Sequence, residues 1–133
     1  MLQVSCGGTV PEGEIRGSRN DLQTLAQAIR TGNSTLVCST TGCAHPYGRL
    51  LEKIVVQVSL EETPRICVAE DSSELEIRGD QAGLSIIANN IEGLARDGDE
   101  GAHWHVEHIP EEPYVAAGSY PITISLEVGC WPS

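Results

Sequence analysis

Apolar and polar positions follow two rhythms along this chain. Leu22, Leu25, Ala26 and Ile29 recur at i, i+3, i+4 and i+7, one stripe of an amphipathic helix, and Leu84, Ile87, Ala88 and Ile91 do the same. Elsewhere the period is two. Ile15 lies between Glu14 and Arg16, Ile77 between Glu76 and Arg78, and Ile54, Val56 and Val58 alternate with Val55, Gln57 and Ser59. The pattern predicts strands at residues 2–5, 12–16, 35–39, 54–60, 65–69, 75–78, 103–109 and 121–128. It predicts helices from just after Gly17 to about Gly32 and from Asp80 to about Arg96. Ser18 is placed to cap the first helix, with Asp21 closing a capping box, and Asp80 to cap the second. Gly32 suits the first helix's C-terminal stop, and the near-continuous apolar character of 54–60 marks a central strand.

The same elements occur twice in the same order. Glu14-Ile15-Arg16-Gly17 returns 62 residues on as Glu76-Ile77-Arg78-Gly79, and that offset carries the first helical stripe onto the second. Pro46-Tyr47 matches Pro113-Tyr114 at an offset of 67, which places a five-residue insertion in the second copy, at Asp97-Gly98-Asp99-Glu100-Gly101. Residues 2–5 align with 66–69, and 54–60 with 122–128. The expected architecture is α+β: an internal duplication of a β-β-α-β-β unit, units 1–60 and 65–128, forming one pseudo-two-fold domain over 1–133 with mainly antiparallel sheet and two helices. One helix covers one face of each unit's sheet. The units are expected to join edge to edge or face to face.

Composition narrows the class. The 19 acidic residues stand against 8 basic ones, a net charge of −11. Such a surface repels phosphate backbones, which argues against direct nucleic-acid binding and fits a basic partner. There is no Phe, so the core must come from Leu, Ile, Val and Ala. No stretch approaches a membrane span, the N-terminal residues lack the basic and apolar regions of a signal peptide, and five Cys at irregular spacing make a poor disulfide framework. These features predict reduced thiols in a cytoplasmic protein, monomeric or homodimeric.

Candidate chemistry is concentrated in the second copy. On a strand, His103, His105 and Glu107 share one face while Trp104, Val106 and His108 share the other. The first set is a possible metal face; alternatively Trp104 and Val106 pack inward and the polar residues meet water. At the offset of 67, His103 falls on Leu36, His105 on Cys38 and Glu107 on Thr40, so the first copy has no matching His pair. Cys38, Cys43 and His45 are a second, incomplete metal set, and a reduced structural pair of thiols is the simpler reading. No nucleophile elbow, P-loop or dinucleotide fingerprint is present, so no catalytic residues and no cofactor are expected. The acidic segment around the insertion, with aromatics beside it, forms a candidate binding surface: Asp97, Asp99, Glu100, His103, Trp104, His105, Glu107, Glu111, Glu112 and Tyr114.

The second copy resembles a known family. Glu76-Ile77-Arg78-Gly79, the helix 84–94, His103-Trp104-His105, Glu112-Pro113-Tyr114 and Ser119 are similar to the immunity protein 32 family, over about residues 65–128. The first copy keeps the tetrapeptide, the stripe and Pro46-Tyr47 but lacks the His pair. The resemblance implies a small cytosolic protein of a bacterial polymorphic-toxin system that neutralises a cognate toxin; the charge of −11 and the acidic inserted loop point to a basic toxin, of nuclease type, whose phosphate-binding surface is covered. Two alternatives stand beside it: a metal-binding protein or metal-dependent enzyme using His103, His105 and Glu107 or Glu111, and a structural pseudo-dimer with another partner.

Overall fold

The fold was analysed in a computed structural model. The structure describes residues 1–8, 11–42, 44, 47–69, 71–99, 101–111 and 114–127. Among these, the order is β1 (Gln3–Cys6), β2 (Gly13–Gly17), α1 (Arg19–Thr31), β3 (Ser34–Val37), β4 (Arg49–Leu51), β5 (Lys53–Val58), β6 (Arg65–Val68), β7 (Glu74–Gly79), α2 (Gln81–Asp97), β8 (His103–Val106) and β9 (Ile122–Leu126). The fold is α+β, with mostly antiparallel strands. The strand predicted at 103–109 stops at Val106, and β4 was not predicted at all. Three residues are too few to show an alternation.

The strands form two sheets, ordered β4-β1-β2-β9-β8 and β3-β5-β7-β6. Strand β5 is central, as its apolar run predicted. The halves of the chain join neither edge to edge nor face to face. They exchange strands. In the first sheet β1 and β2 pair with β9 and β8 from the far end of the chain; in the second, β6 and β7 pair with β5 and β3. The junctions, β2 with β9 and β5 with β7, are the two parallel pairs. Each fills the edge that a hairpin of one half would otherwise expose.

The ladders correct the sequence register in two places. Gln3 faces Arg16 and Arg65 faces Arg78, so the first strands match at an offset of 62, and Val4, not Leu2, stands where Ile66 does. Trp104 faces Ile124 beside Ile15, while Ser34 faces Val56 beside Ile77. His105 therefore holds the position of Thr35, not of Cys38. Loop lengths differ between the halves, so an alignment through Pro46-Tyr47 slips by three.

Local sequence explains the helix ends. The Asp21 N–H donates to Ser18 Oγ (3.2 Å) and the Ser18 N–H to Asp21 Oδ2 (3.0 Å), while the Gly83 N–H donates to Asp80 Oδ1 at 2.7 Å. Gly32 ends α1 at φ 75°, a conformation that L side chains resist. The first residue of each helix also reaches the last turn of the other. Arg19 donates to the carbonyls of Ala95 and Gly98, both at 2.7 Å, and Gln81 donates to that of Arg30. The helices thus run antiparallel, each satisfying carbonyls its neighbour cannot bond internally. An ion pair from Arg30 to Glu92 at 2.9 Å adds a further tie. One hydrophobic cluster takes Val4, Ile15 and Ile124 from the first sheet, Ile54, Leu75 and Ile77 from the second, and both helical stripes. That shared core holds the sheets in place and leaves the opposite face of each to meet solvent.

Candidate functional site

The outer face of the first sheet carries the second half's distinctive residues. Period two turns Ile15, Ile122 and Ile124 inward and leaves Glu14, Arg16, Thr123 and Ser125 outward. Pairing aligns Arg16, Ser125 and His103 in one row, and Glu14, Thr123 and His105 in the next. All of these but Arg16 line a cleft of about 520 Å³. Two connections each contribute a residue to it. Tyr47, from the segment between β3 and β4, lines one part, and Gly101, from the turn between α2 and β8, another. Thr41 of the same β3–β4 segment accepts a hydrogen bond from Gln3 Nε2 at 3.0 Å, and Gln3 and Ser5 of β1 are buried.

The polar groups of the cleft are interlocked. Ser125 Oγ donates to Glu14 Oε2 at 2.7 Å, and His105 Nδ1 lies 3.0 Å from Thr123 Oγ1. The Arg16 guanidinium spans Glu14 (3.4 Å) and Glu127 (3.8 Å) and donates to Gln3 Oε1. The His103 and His105 rings meet edge to face, with centroids 4.9 Å apart. Burial, and after it the carboxylates of Glu14 and Glu12, push the Tyr47 phenol above its ordinary value, so it stays a neutral hydroxyl.

The remaining predicted residues are spread around this cleft. Trp104 points the other way. It is half-buried against the core, with the Tyr114 ring edge-on at 5.8 Å. Asp97 and Asp99 are exposed at the end of α2 and in the turn that follows, next to Gly101. The Arg96 guanidinium, 3.0 Å from Asp97, holds that carboxyl below the ordinary range. Glu107 is exposed and lines a smaller recess of about 40 Å³ with Glu12, His105 and Thr123. Glu111 is exposed. Glu100, Glu112, Cys43 and His45 lie outside the described residues. Cys38 is buried, and burial pushes its thiol up to about 11. Among the described residues no group of three or more His, Cys, Asp or Glu is placed to hold a metal ion, and Glu107 does not complete a set with His103 and His105.

Sequence reading missed Glu14, Arg16, Tyr47, Thr123, Ser125 and Glu127. Two signals were available: the outward Glu-x-Arg pair, and the hydroxyls alternating with Ile122, Ile124 and Leu126 in the last strand. Neither tells which strands are neighbours.

The class that fold and site define is an acidic α+β protein with one acceptor-rich cleft built by strands from both halves. The sequence model of a family described as immunity protein 32 matches residues 74–127, from β7 to the residue after β9, so this stretch resembles that family as its motifs indicated. Neither a curated protein nor a solved structure matches the chain. Among the described residues no helix is long and apolar enough to cross a membrane.

Proposed function

We propose that this is a cytoplasmic immunity protein that binds a cognate basic protein toxin, of nuclease type, and neutralises it by covering the surface the toxin presents to phosphate backbones. One observation carries the reading: the immunity-family match and the exposed acidic residues Asp97, Asp99, Glu107 and Glu111 fall on the same stretch of chain. The net charge of −11 adds long-range attraction for a basic partner, which raises the association rate most at low salt. Neutralisation by binding needs no catalytic group and no cofactor.

Co-expression tests this. Cells carrying a toxin gene from either side of this one survive when the protein is present; failure of every neighbouring gene product to be neutralised refutes the proposal. Replacing Asp99, Glu100 and Glu111 by Lys slows association by about tenfold or more at low salt. An unchanged rate would remove the electrostatic part of the argument.

A further inference from the structure

We infer that the outer edge of β3, with the groove that runs between it and α1, is a docking surface for the same edge of a second copy of this chain. The two-fold plan shows what this edge lacks. Ser34 holds on the second sheet the position that Trp104 holds on the first. The Trp104 indole packs against the core beside its edge strand. Ser34 is small, and a groove of about 560 Å³ lies beside it, whose lining includes Gln23, Thr24, Gln27 and Ala28 of α1 and Ser34 and Leu36 of β3. The backbone of the strand is also turned outward there. The Cys38 N–H donates to the Glu52 carbonyl, so the alternating ladder points the backbone groups of Ser34 and Leu36 at β5 and those of Thr35 and Val37 away from it. Strand β3 ends its sheet, and both Thr35 and Val37 are exposed, Val37 at 69%.

A second copy fits this edge by symmetry and by charge. Antiparallel pairing about Thr35 is two-fold symmetric. It sets Thr35 opposite Thr35 of the other copy, joined by two backbone hydrogen bonds, and puts Leu36 of each copy opposite Ser34 of the other, on the groove side. Each copy thus supplies the apolar group that Ser34 lacks. Copies with a net charge of −11 repel one another least where neutral residues meet. Ser34, Thr35, Leu36 and Val37 are all neutral, as are Gln23, Thr24, Gln27 and Ala28. The β8 edge is followed by Glu107 and suits a basic partner instead. The β6 edge is taken: the Ile66 N–H donates to Ser119 Oγ at 3.2 Å, and the Ile66 carbonyl accepts from the Tyr120 N–H at 2.9 Å. Pairing through β3 leaves the outer face of the first sheet to another partner, so this inference does not depend on the immunity reading.

Sedimentation velocity of the full chain over a concentration series tests this, with amide hydrogen exchange to locate the contact. The expected result is a reversible dimer that forms at high micromolar concentration, because a short edge and one helix flank make a small interface. The Thr35 amide gains protection as concentration rises, while the Leu36 amide, already bonded to β5, does not change. Thr35→Lys sets two ammonium groups opposite each other at an exposed position and weakens dimerisation by about tenfold or more, although it lowers the net negative charge that keeps copies apart. Ile109→Lys makes the same charge change at an exposed apolar position beyond β8 and leaves dimerisation as it was. A chain that stays monomeric at millimolar concentration would overturn the inference. So would a dimer that Thr35→Lys does not weaken, one that Ile109→Lys does weaken, or protection that rises elsewhere and not at Thr35. A toxin seated on this edge would show as a chain that is monomeric alone and whose Thr35→Lys variant fails to neutralise, and that too would overturn it.

Discussion

The two sheets share a plan and differ in what lies on them. Each joins a β-hairpin from one half of the chain to strands of the other through a parallel pair, and each carries an outward Glu-x-Arg pair at the same register. On the second sheet the carboxylates have nearby cations: Lys53 with Glu74 at 3.3 Å, Arg78 with Glu76 at 2.9 Å, Arg65 with Glu61 at 3.9 Å. On the first sheet Arg16 lies between Glu14 and Glu127, an imidazole, His105, stands where the second sheet has Thr35, and Tyr47 and Gly101 from two connections line the cleft. The scaffold is common. The connections differ, and connections can vary without disturbing the ladders.

The comparison can be broken or sharpened in three ways. The largest effect is in the core. Ile15 and Ile77 are equivalent and almost fully buried, at 2% and 3% exposure. Replacing either by Ala should cost about 2–5 kcal/mol in urea unfolding. The two losses should agree within about 1 kcal/mol, and a larger gap would show that the sheets do not share one core equally.

The next effect is at the strand–helix junctions, where both tetrapeptides end in Gly. A Cβ on Gly17 would sit 2.7 Å from the Asp21 Cβ and 2.9 Å from Leu2, whereas one on Gly79 would sit 3.1–3.2 Å from Pro64. Ala at Gly17 should destabilise by about 1–3 kcal/mol and Ala at Gly79 by less. Equal losses in thermal unfolding would show that the tighter contact relaxes freely.

The smallest effect concerns access. Cys67 occupies on the second sheet the position of Ser5 on the first, opposite Glu76 as Ser5 is opposite Glu14. Ser5 is 1% exposed, and Cys67 is only partly buried. A thiol reagent at pH 8, read by peptide mass spectrometry, should label Cys67 but not Cys6 or Cys38, nor the thiol of a Ser5→Cys variant. Cys38 also links stability to pH. Burial raises its thiol from 9.0 to about 11, so the unfolded chain releases this proton first. Its contribution is whole below about pH 9 and is lost as pH rises through about 11. A Cys38→Ala variant should show a shallower decline across that window.

Much of the fold was legible because it is local. A helical stripe needs only the spacing of Leu22, Leu25, Ala26 and Ile29, and a cap needs only Ser18 and Asp21 three residues apart. The inward face of Trp104 and Val106 and the outward face of His103 and His105 followed from the two-residue period of a strand. Of the residues lining the cleft, His103 and His105 alone were legible as candidates. Glu14 and Tyr47 come from the first half, and nothing local joins them to His105, some 90 and 58 residues away.

The sequence by itself determined the elements, their caps, the faces they bury and the family resemblance of the second half. These depend on contacts a few residues apart. Only the tertiary structure decided that the halves exchange strands and that strands of both halves line the cleft on the first sheet. A hairpin edge presents the same backbone donors and acceptors to any partner strand, so pairing is chosen by how the helices and the shared core pack together. That choice set Glu14 beside Ser125, Arg16 beside Glu127 and His105 in the row of Glu14, and so gathered residues from opposite ends of the chain into one cleft.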